Sequence, residues 1–210
     1  MHDPGALSYV VLDVPEPQAS AVMAVRRAHG DLFRAALPAE VTLTDSFDPS
    51  QDPEAAFAAL DAIASDTAPI QTSFVGAHRF PDSDTFVMRL AAEDRFSALR
   101  QKISDEALLF EPSPGYEFIP HCTLRTLSPV TPEDAERLLS TDIPGQMTFA
   151  TLSVFTLTRA TTPAGVECRL RHRARLSGRH RSRARADAHP ASARVRTRPP
   201  DPFCPARHPL

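Results

Sequence analysis

Hydrophobic and polar positions along the chain change period several times, and each change marks an element. Leu7 to Val14 (LSYVVLDV) is a β-prone run stopped by Pro15 and Pro17, the pattern of a buried strand followed by a turn. From Ala19 to Leu37, the residues Val22, Val25, His29, Leu32, Phe33 and Ala36 recur at helical spacing, with Gly30 placed to divide the helix. Pro38 to Phe47 predicts the next strand. Asp52-Pro53-Glu54 sets a capping acid before a proline at the first helical position, and Ala56, Phe57, Leu60, Ile63 and Ala64 supply the buried stripe. Ile70 to Phe80 and Thr85 to Leu90 predict two strands around the turn-forming Pro81-Asp82-Ser83-Asp84. Phe96, Leu99, Ile103 and Ala107 then mark a helix. A strand over Gly115 to Arg125, a helix opened by Thr131-Pro132-Glu133-Asp134, and strands over Thr148 to Thr158 and Val166 to Leu176 complete the pattern. The last strand alternates: Val166, Cys168, Leu170, Ala174 and Leu176, with His172, on an inner face, and Arg169, Arg171, Arg173 and Arg175 on the other.

The elements repeat. Ser8 to Val14, a helix, then Pro38 to Leu43 echo Thr85 to Leu90, a helix, then Ile119 to Leu124, and both second strands end in Thr-Leu. The fold class that follows is α+β: two pseudo-symmetric lobes of mainly antiparallel sheet, helices outside, enclosing a central groove. Paired lobes would bring the Thr42 and Thr123 faces together across that groove.

Charge locates the end of the folded part. Residues 1–168 hold 24 Asp and Glu against 11 Lys and Arg, whereas residues 169–210 hold 12 Arg against two Asp. From Ser177 onward large apolar residues almost vanish, and such a segment cannot offset the entropy of ordering it. The expected organisation is a two-lobed domain over residues 1–176 and a disordered Arg, Pro and Ala-rich tail over 177–210. Three cysteines without CxxC spacing, Cys122, Cys168 and Cys204, argue against a disulfide framework and a structural zinc site. No export signal precedes an apolar segment and no apolar run is long enough to span a bilayer, so a cytoplasmic location without membrane contact is expected.

Candidate chemistry centres on Gly115-Tyr116-Glu117-Phe118-Ile119-Pro120-His121-Cys122-Thr123-Leu124-Arg125. On a strand, His121 and Thr123 share one face and Cys122 and Leu124 the other. An imidazole that exchanges a proton near neutral pH beside a hydroxyl that binds phosphate oxygens is half of an acid–base site. Cys122 faces away from His121, which counts against a thiol–imidazole pair. Glu40 and Thr42 hold the matching places in the first half.

Pro120-His121-Cys122-Thr123-Leu124, the preceding Tyr116-Glu117-Phe118 and the strand and helix order from about residue 7 to 176 resemble the two-histidine phosphoesterase superfamily. Its members include bacterial RNA 2',3'-cyclic phosphodiesterases, also called 2'-5' RNA ligases. The resemblance implies two His-x-Thr motifs whose histidines act as acid and base and whose threonines hold phosphate oxygens, without a metal or cofactor. It carries over to His121, Thr123 and Thr42; Pro38-Ala39-Glu40-Val41-Thr42-Leu43 departs from the first motif, with Glu40 at the histidine position and one extra residue after the proline. Arg125 and Tyr116, flanking the intact motif, are candidate accessory residues.

The implied activity is a metal-independent phosphodiesterase acting on 2',3'-cyclic phosphate RNA ends or cyclic nucleotides, as a monomer. Glu40 is either the catalytic base, with His121 the acid, or the partner of His121, occupying the anion site and raising the imidazole pKa. The alternative is a non-catalytic protein of the same fold that binds a nucleotide or RNA end.

Overall fold

A computed structural model of the chain describes residues 7–44, 52–106 and 117–179. β1 (Leu7–Asp13) leads into α1 (Gln18–Ala28) and the single-turn α2 (Leu32–Ala35). The two helices part at Gly30, whose φ of 67° is a left-handed conformation that glycine adopts at little cost. β2 (Glu40–Thr42) follows, shorter than the predicted strand, whose end at residues 45–47 lies outside the described residues. α3 (Pro53–Asp66) starts as its sequence predicts: the Asp52 carboxylate accepts the Ala55 N–H at 3.0 Å and Pro53 needs no acceptor. β3 (Ile70–Arg79), β4 (Phe86–Leu90), α4 (Glu93–Asp105), β5 (His121–Arg125), α5 (Pro132–Leu139), β6 (Gln146–Phe149), β7 (Thr151–Arg159) and β8 (Val166–Arg175) complete the order.

Among the described residues the strands form two antiparallel sheets, β2-β1-β7-β8 and β5-β4-β3-β6. The duplicated halves adopt the same register. Val11, Leu12 and Asp13 oppose Thr42, Val41 and Glu40, and Val87, Met88 and Arg89 oppose Thr123, Cys122 and His121. Glu40 therefore occupies in one sheet the place that His121 occupies in the other. One apolar cluster serves both sheets: Leu12, Val41 and Val154 meet Phe86, Phe96, Leu124 and Phe149 in it. Burying each such side chain contributes about 1.5–3 kcal/mol.

Three strand predictions are corrected. The strand expected over Gly115 to Arg125 begins only at His121; residues 117–120 are not strand, and 115–116 lie outside the described residues. Thr148 to Thr158 is not one strand; the chain leaves β6 in the second sheet and enters β7 in the first across Ala150. The alternation of β8 breaks at a bulge: Leu170 opposes Phe155 while His172 opposes Val154, leaving Arg171 unpaired. An extra residue reverses every later side chain. His172 and Ala174 thus keep the core-facing side, the His172 ring stacked 4.6 Å from Phe57 and its Nε2 2.9 Å from the Asp61 carboxylate. Leu170 turns to the opposite face and is 46% exposed, and Arg173, on that face, reaches Asp13 at 3.3 Å.

The corner between α1 and α2 crosses from the first sheet to the second. Arg26, fully buried, donates from Nε and Nη2 to the Thr123 carbonyl at 2.9 and 2.7 Å, and from Nη1 to the carbonyls of Pro38, Leu37 and Arg34. The Asp31 carboxylate caps α2 through the Arg34 N–H and accepts the N–H groups of Thr126 and Leu127 beyond β5. Although burial pushes its pKa up, these N–H donors hold Asp31 below the usual carboxylate range. The candidate strand is thus fixed by elements of the other half.

Candidate active site

β2 and β5 are the edge strands of their sheets, and they lie against each other. Beside their contact opens a cleft of about 640 Å³, lined by Thr42, Thr44, Arg34, Phe80, Ser83, Arg100, Glu117, Phe118, His121 and Thr123 among others. The structure thereby brings together three residues singled out in the sequence: Thr42 from one sheet and His121 and Thr123 from the other. Arg34 and Arg100 add positive charge that the sequence reading did not assign to a site.

His121 is held in a defined orientation. Its Nδ1 lies 2.6 Å from the Ile119 carbonyl, an acceptor, so Nδ1 carries the proton and Nε2 is left for chemistry in the neutral ring. The Phe80 ring stands edge-on to the imidazole at 5.0 Å. Burial pushes the His121 pKa below its ordinary value and the Arg34 charge pushes the same way, against the Ile119 hydrogen bond. The shift favours the uncharged ring. Across the strand Cys122 is fully buried, its thiol pushed up to about 12 by burial, and so is no nucleophile.

Glu40 is not among the residues lining this cleft. It lines an adjoining cavity of about 150 Å³ between the first sheet and α2, walled by Tyr9, Val11, Phe33, Phe155 and Leu157, with Arg34 and Thr42 shared between the two spaces. Its carboxylate lies 3.6 Å from Arg26 Nη2 and 3.6 Å from Arg34 Nη1, and among the described residues its ion pairs are with these two guanidinium groups, not with His121. The pairing that would have raised the His121 pKa is therefore replaced by one between Glu40 and two arginines, and the His121 shift runs downward. Burial pushes the Glu40 pKa up despite both cations.

Arg125 is buried away from the cleft lining. It donates to the carbonyls of His29 at 2.6 Å, Leu127 at 3.1 Å and Pro129 at 3.3 Å, tying β5 to the end of α1. Tyr116 lies outside the described residues. Arg100 reaches the cleft from α4, donating to the Leu43 carbonyl at 3.0 Å with its guanidinium 4.7 Å from the Phe118 ring centroid. The sequence signal that would have found Arg26 is its position four residues after Val22 on the buried stripe of α1; α2 is too short for a comparable periodic signal at Arg34. Among the described residues no His, Cys, Asp and Glu cluster is placed to hold a metal ion, and no helix is long and apolar enough to cross a membrane.

A two-sheet α+β fold with a polar cleft at the contact of its edge strands defines a class of protein, and comparison with known proteins gives its family. The chain matches the family described as the 2'-5' RNA ligase superfamily over residues 14–161, and it belongs to that family. Solved structures share the fold at low identity. TT0787 of Thermus thermophilus is 19% identical, with a TM-score of 0.58 over 83% of this chain and 100% of that one. Apo LigT of E. coli is 14% identical, with a TM-score of 0.55 over 83% and 99%. LigT complexed with 3'-AMP is 13% identical, with a TM-score of 0.55 over 82% and 99%. Among curated proteins none matches the chain.

Proposed function

We propose that the protein is a metal-independent phosphodiesterase that opens 2',3'-cyclic phosphates at RNA ends or on nucleotides. The observation that carries this reading is the convergence of His121, Thr123 and Thr42 on one cleft, with His121 Nδ1 pinned to a backbone carbonyl. Membership of the 2'-5' RNA ligase superfamily supports it, as does the 3'-AMP complex of LigT, a protein of similar fold. In this reading the two threonine hydroxyls hold phosphate oxygens and His121 Nε2 accepts a proton from the attacking water. The new phosphorus–oxygen bond forms as one ribose oxygen departs, and that oxygen takes its proton from solvent. The product is a phosphomonoester beside a free hydroxyl.

A second reading, capture of a nucleotide or RNA end without turnover, is favoured by one observation: His121 is the lone imidazole among the described residues lining the cleft. Removing one of two acid–base partners costs on the order of a hundredfold to ten-thousandfold in rate. Incubation with 2',3'-cyclic AMP, and with an RNA ending in a cyclic phosphate, separates the two. Phosphomonoester formation above that of His121→Ala is expected. Equal, background rates overturn hydrolysis, and saturable binding at those rates leaves the second reading in its place.

A further inference from the structure

Two arginines flank the buried Glu40 carboxylate, and they are used differently. Arg26 spends its guanidinium on carbonyl oxygens and is sealed from solvent. The Arg34 side chain is 20% exposed and lines both the cleft of His121 and the cavity of Glu40. Its nearest carboxylate oxygen lies 3.6 Å away, a charge contact beyond good hydrogen-bond distance. Its Nε is buried with no partner among the described residues. A buried N–H of a cation without an acceptor is costly. That N–H is sealed from the cleft, but the rest of the Arg34 side chain lines it, and a planar guanidinium fork matches the oxygens of a phosphate.

We propose that Arg34 is the residue that anchors the phosphate anion in this cleft, and that Glu40 is a positioning residue that holds the Arg34 guanidinium there. The inference deepens the phosphodiesterase reading and rests on it for the source of the phosphate. With Glu40 ionised, the buried group of Arg26, Arg34 and Glu40 carries one net positive charge, and Arg34 is the member that presents it to the cleft. The strand position that supplies an imidazole in the second sheet then supplies, in the first, the counter-charge of a cation brought in by α2. The groups that face Arg34 are Glu40 on β2, Arg26 on α1, Asp31 at the start of α2 and Cys122 on β5; those that share the cleft with His121 are Arg34, Arg100 and Glu117.

The test is binding of inorganic phosphate at low salt, followed by calorimetry, together with the NMR titration of His121, in the full chain and its variants. The wild type is expected to bind, Arg34→Ala to lose roughly tenfold to a hundredfold in affinity, and Arg34→Lys to lose less. Glu40→Gln gives the sharper readout. Removing a negative charge beside an anion strengthens binding by Coulomb attraction alone, so a several-fold loss in that variant identifies positioning. The His121 pKa is expected to rise in Arg34→Ala, where a neighbouring cation has gone. Full phosphate affinity in Arg34→Ala, or none in the wild type, overturns the anchor; unchanged or tighter binding in Glu40→Gln overturns the positioning role. Should Arg34→Ala not fold, affinity and His121 titration in Arg34→Lys equal to those of the wild type overturn the anchor instead. Because these readouts need no turnover, a wild type that binds phosphate through Arg34 yet leaves cyclic nucleotides intact removes the hydrolytic reading alone.

Discussion

His121 and Glu40 hold equivalent strand positions and meet opposite surroundings. The imidazole has one carbonyl partner, an aromatic edge and a nearby cation, each compatible with a neutral base. Its folded pKa is lowered from 6.5, first by burial, so the neutral, proton-accepting form persists to lower pH than in a free imidazole. If His121 acts as the base, kcat/KM for a cyclic nucleotide rises with pH through a midpoint below 6.5 and stays level above it. The same shift makes the folded state bind fewer protons than the unfolded chain, so its contribution to stability is complete above pH 6.5 and is lost as pH falls through the folded value. A pH–rate profile checks the first statement. A profile that instead falls as pH rises would show that His121 works as its cation, the form suited to a general acid, and a rising midpoint at or above 6.5 would overturn the downward shift.

At the scale of elements, the corner formed by α1 and α2 ties together the two edge strands that flank the cleft. Arg26 links α1 to the carbonyls of Thr123, Leu37 and Pro38, and so joins β5 to the approach of β2. In Arg26→Met the stem is replaced by a chain of similar bulk, but the carbonyl oxygens of Thr123, Arg34, Leu37 and Pro38 and one face of Glu40 lose their cation. Removing one member of a buried ion pair costs about 3–5 kcal/mol, and urea denaturation followed by circular dichroism is expected to show a loss of that size. A loss below about 1 kcal/mol would mean that water replaces the guanidinium in the corner. This corner was the least legible part of the sequence. The stripe Val22, Val25, His29, Leu32, Phe33 placed Leu32 and Phe33 on a buried side, whereas they are 55% and 37% exposed, and the Gln18, Val22, Arg26 side is buried instead. A buried arginine adds nothing to a hydrophobic pattern, so its place one turn after Val22 is the one trace it leaves in the sequence; its acceptors are backbone atoms that only the folded chain assembles. The β8 bulge failed for a related reason, since one unpaired residue reverses a face without changing composition. What was legible had local causes: the Asp52-Pro53 start of α3, the break at Gly30, and the alternation that sets His121 and Thr123 on one face and Cys122 on the other.

At the scale of the whole molecule, the repeat gives two sheets of like register whose edge strands meet, and what differs between the halves is what lies over each edge. The first half sends its helical corner across to the second, while the C-terminal strands complete the sheet of the first. The chain stays engaged beyond the expected limit of 176. The N–H groups of Ser177, Gly178 and Arg179 donate to the carbonyls of Ala64, Thr67 and Ser65 at 3.2, 3.0 and 2.8 Å. Two of these carbonyls, Ala64 and Ser65, belong to the last turn of α3; Ala64 also accepts the Thr67 N–H at 3.3 Å, so the Arg179 N–H at Ser65 supplies the donor that the helix end itself lacks. Gly178, at φ 61°, makes the turn that brings them into reach, and its Cα hydrogen faces Ala68, where an added Cβ would lie 3.3 Å away. The expected tail at 177–210 lies outside the described residues from 180 onward, and we propose that it contributes nothing to folding. A chain ending at Arg179 should therefore melt with the full-length protein. A chain ending at Leu176 should lose about 1–2 kcal/mol, the net value of hydrogen bonds that leave part of a helix end uncapped, seen as a lower midpoint in urea. Equal stability of the two truncations would show that water caps α3 as well as the chain does; a loss already present at 179 would place part of the fold in the Arg-rich segment.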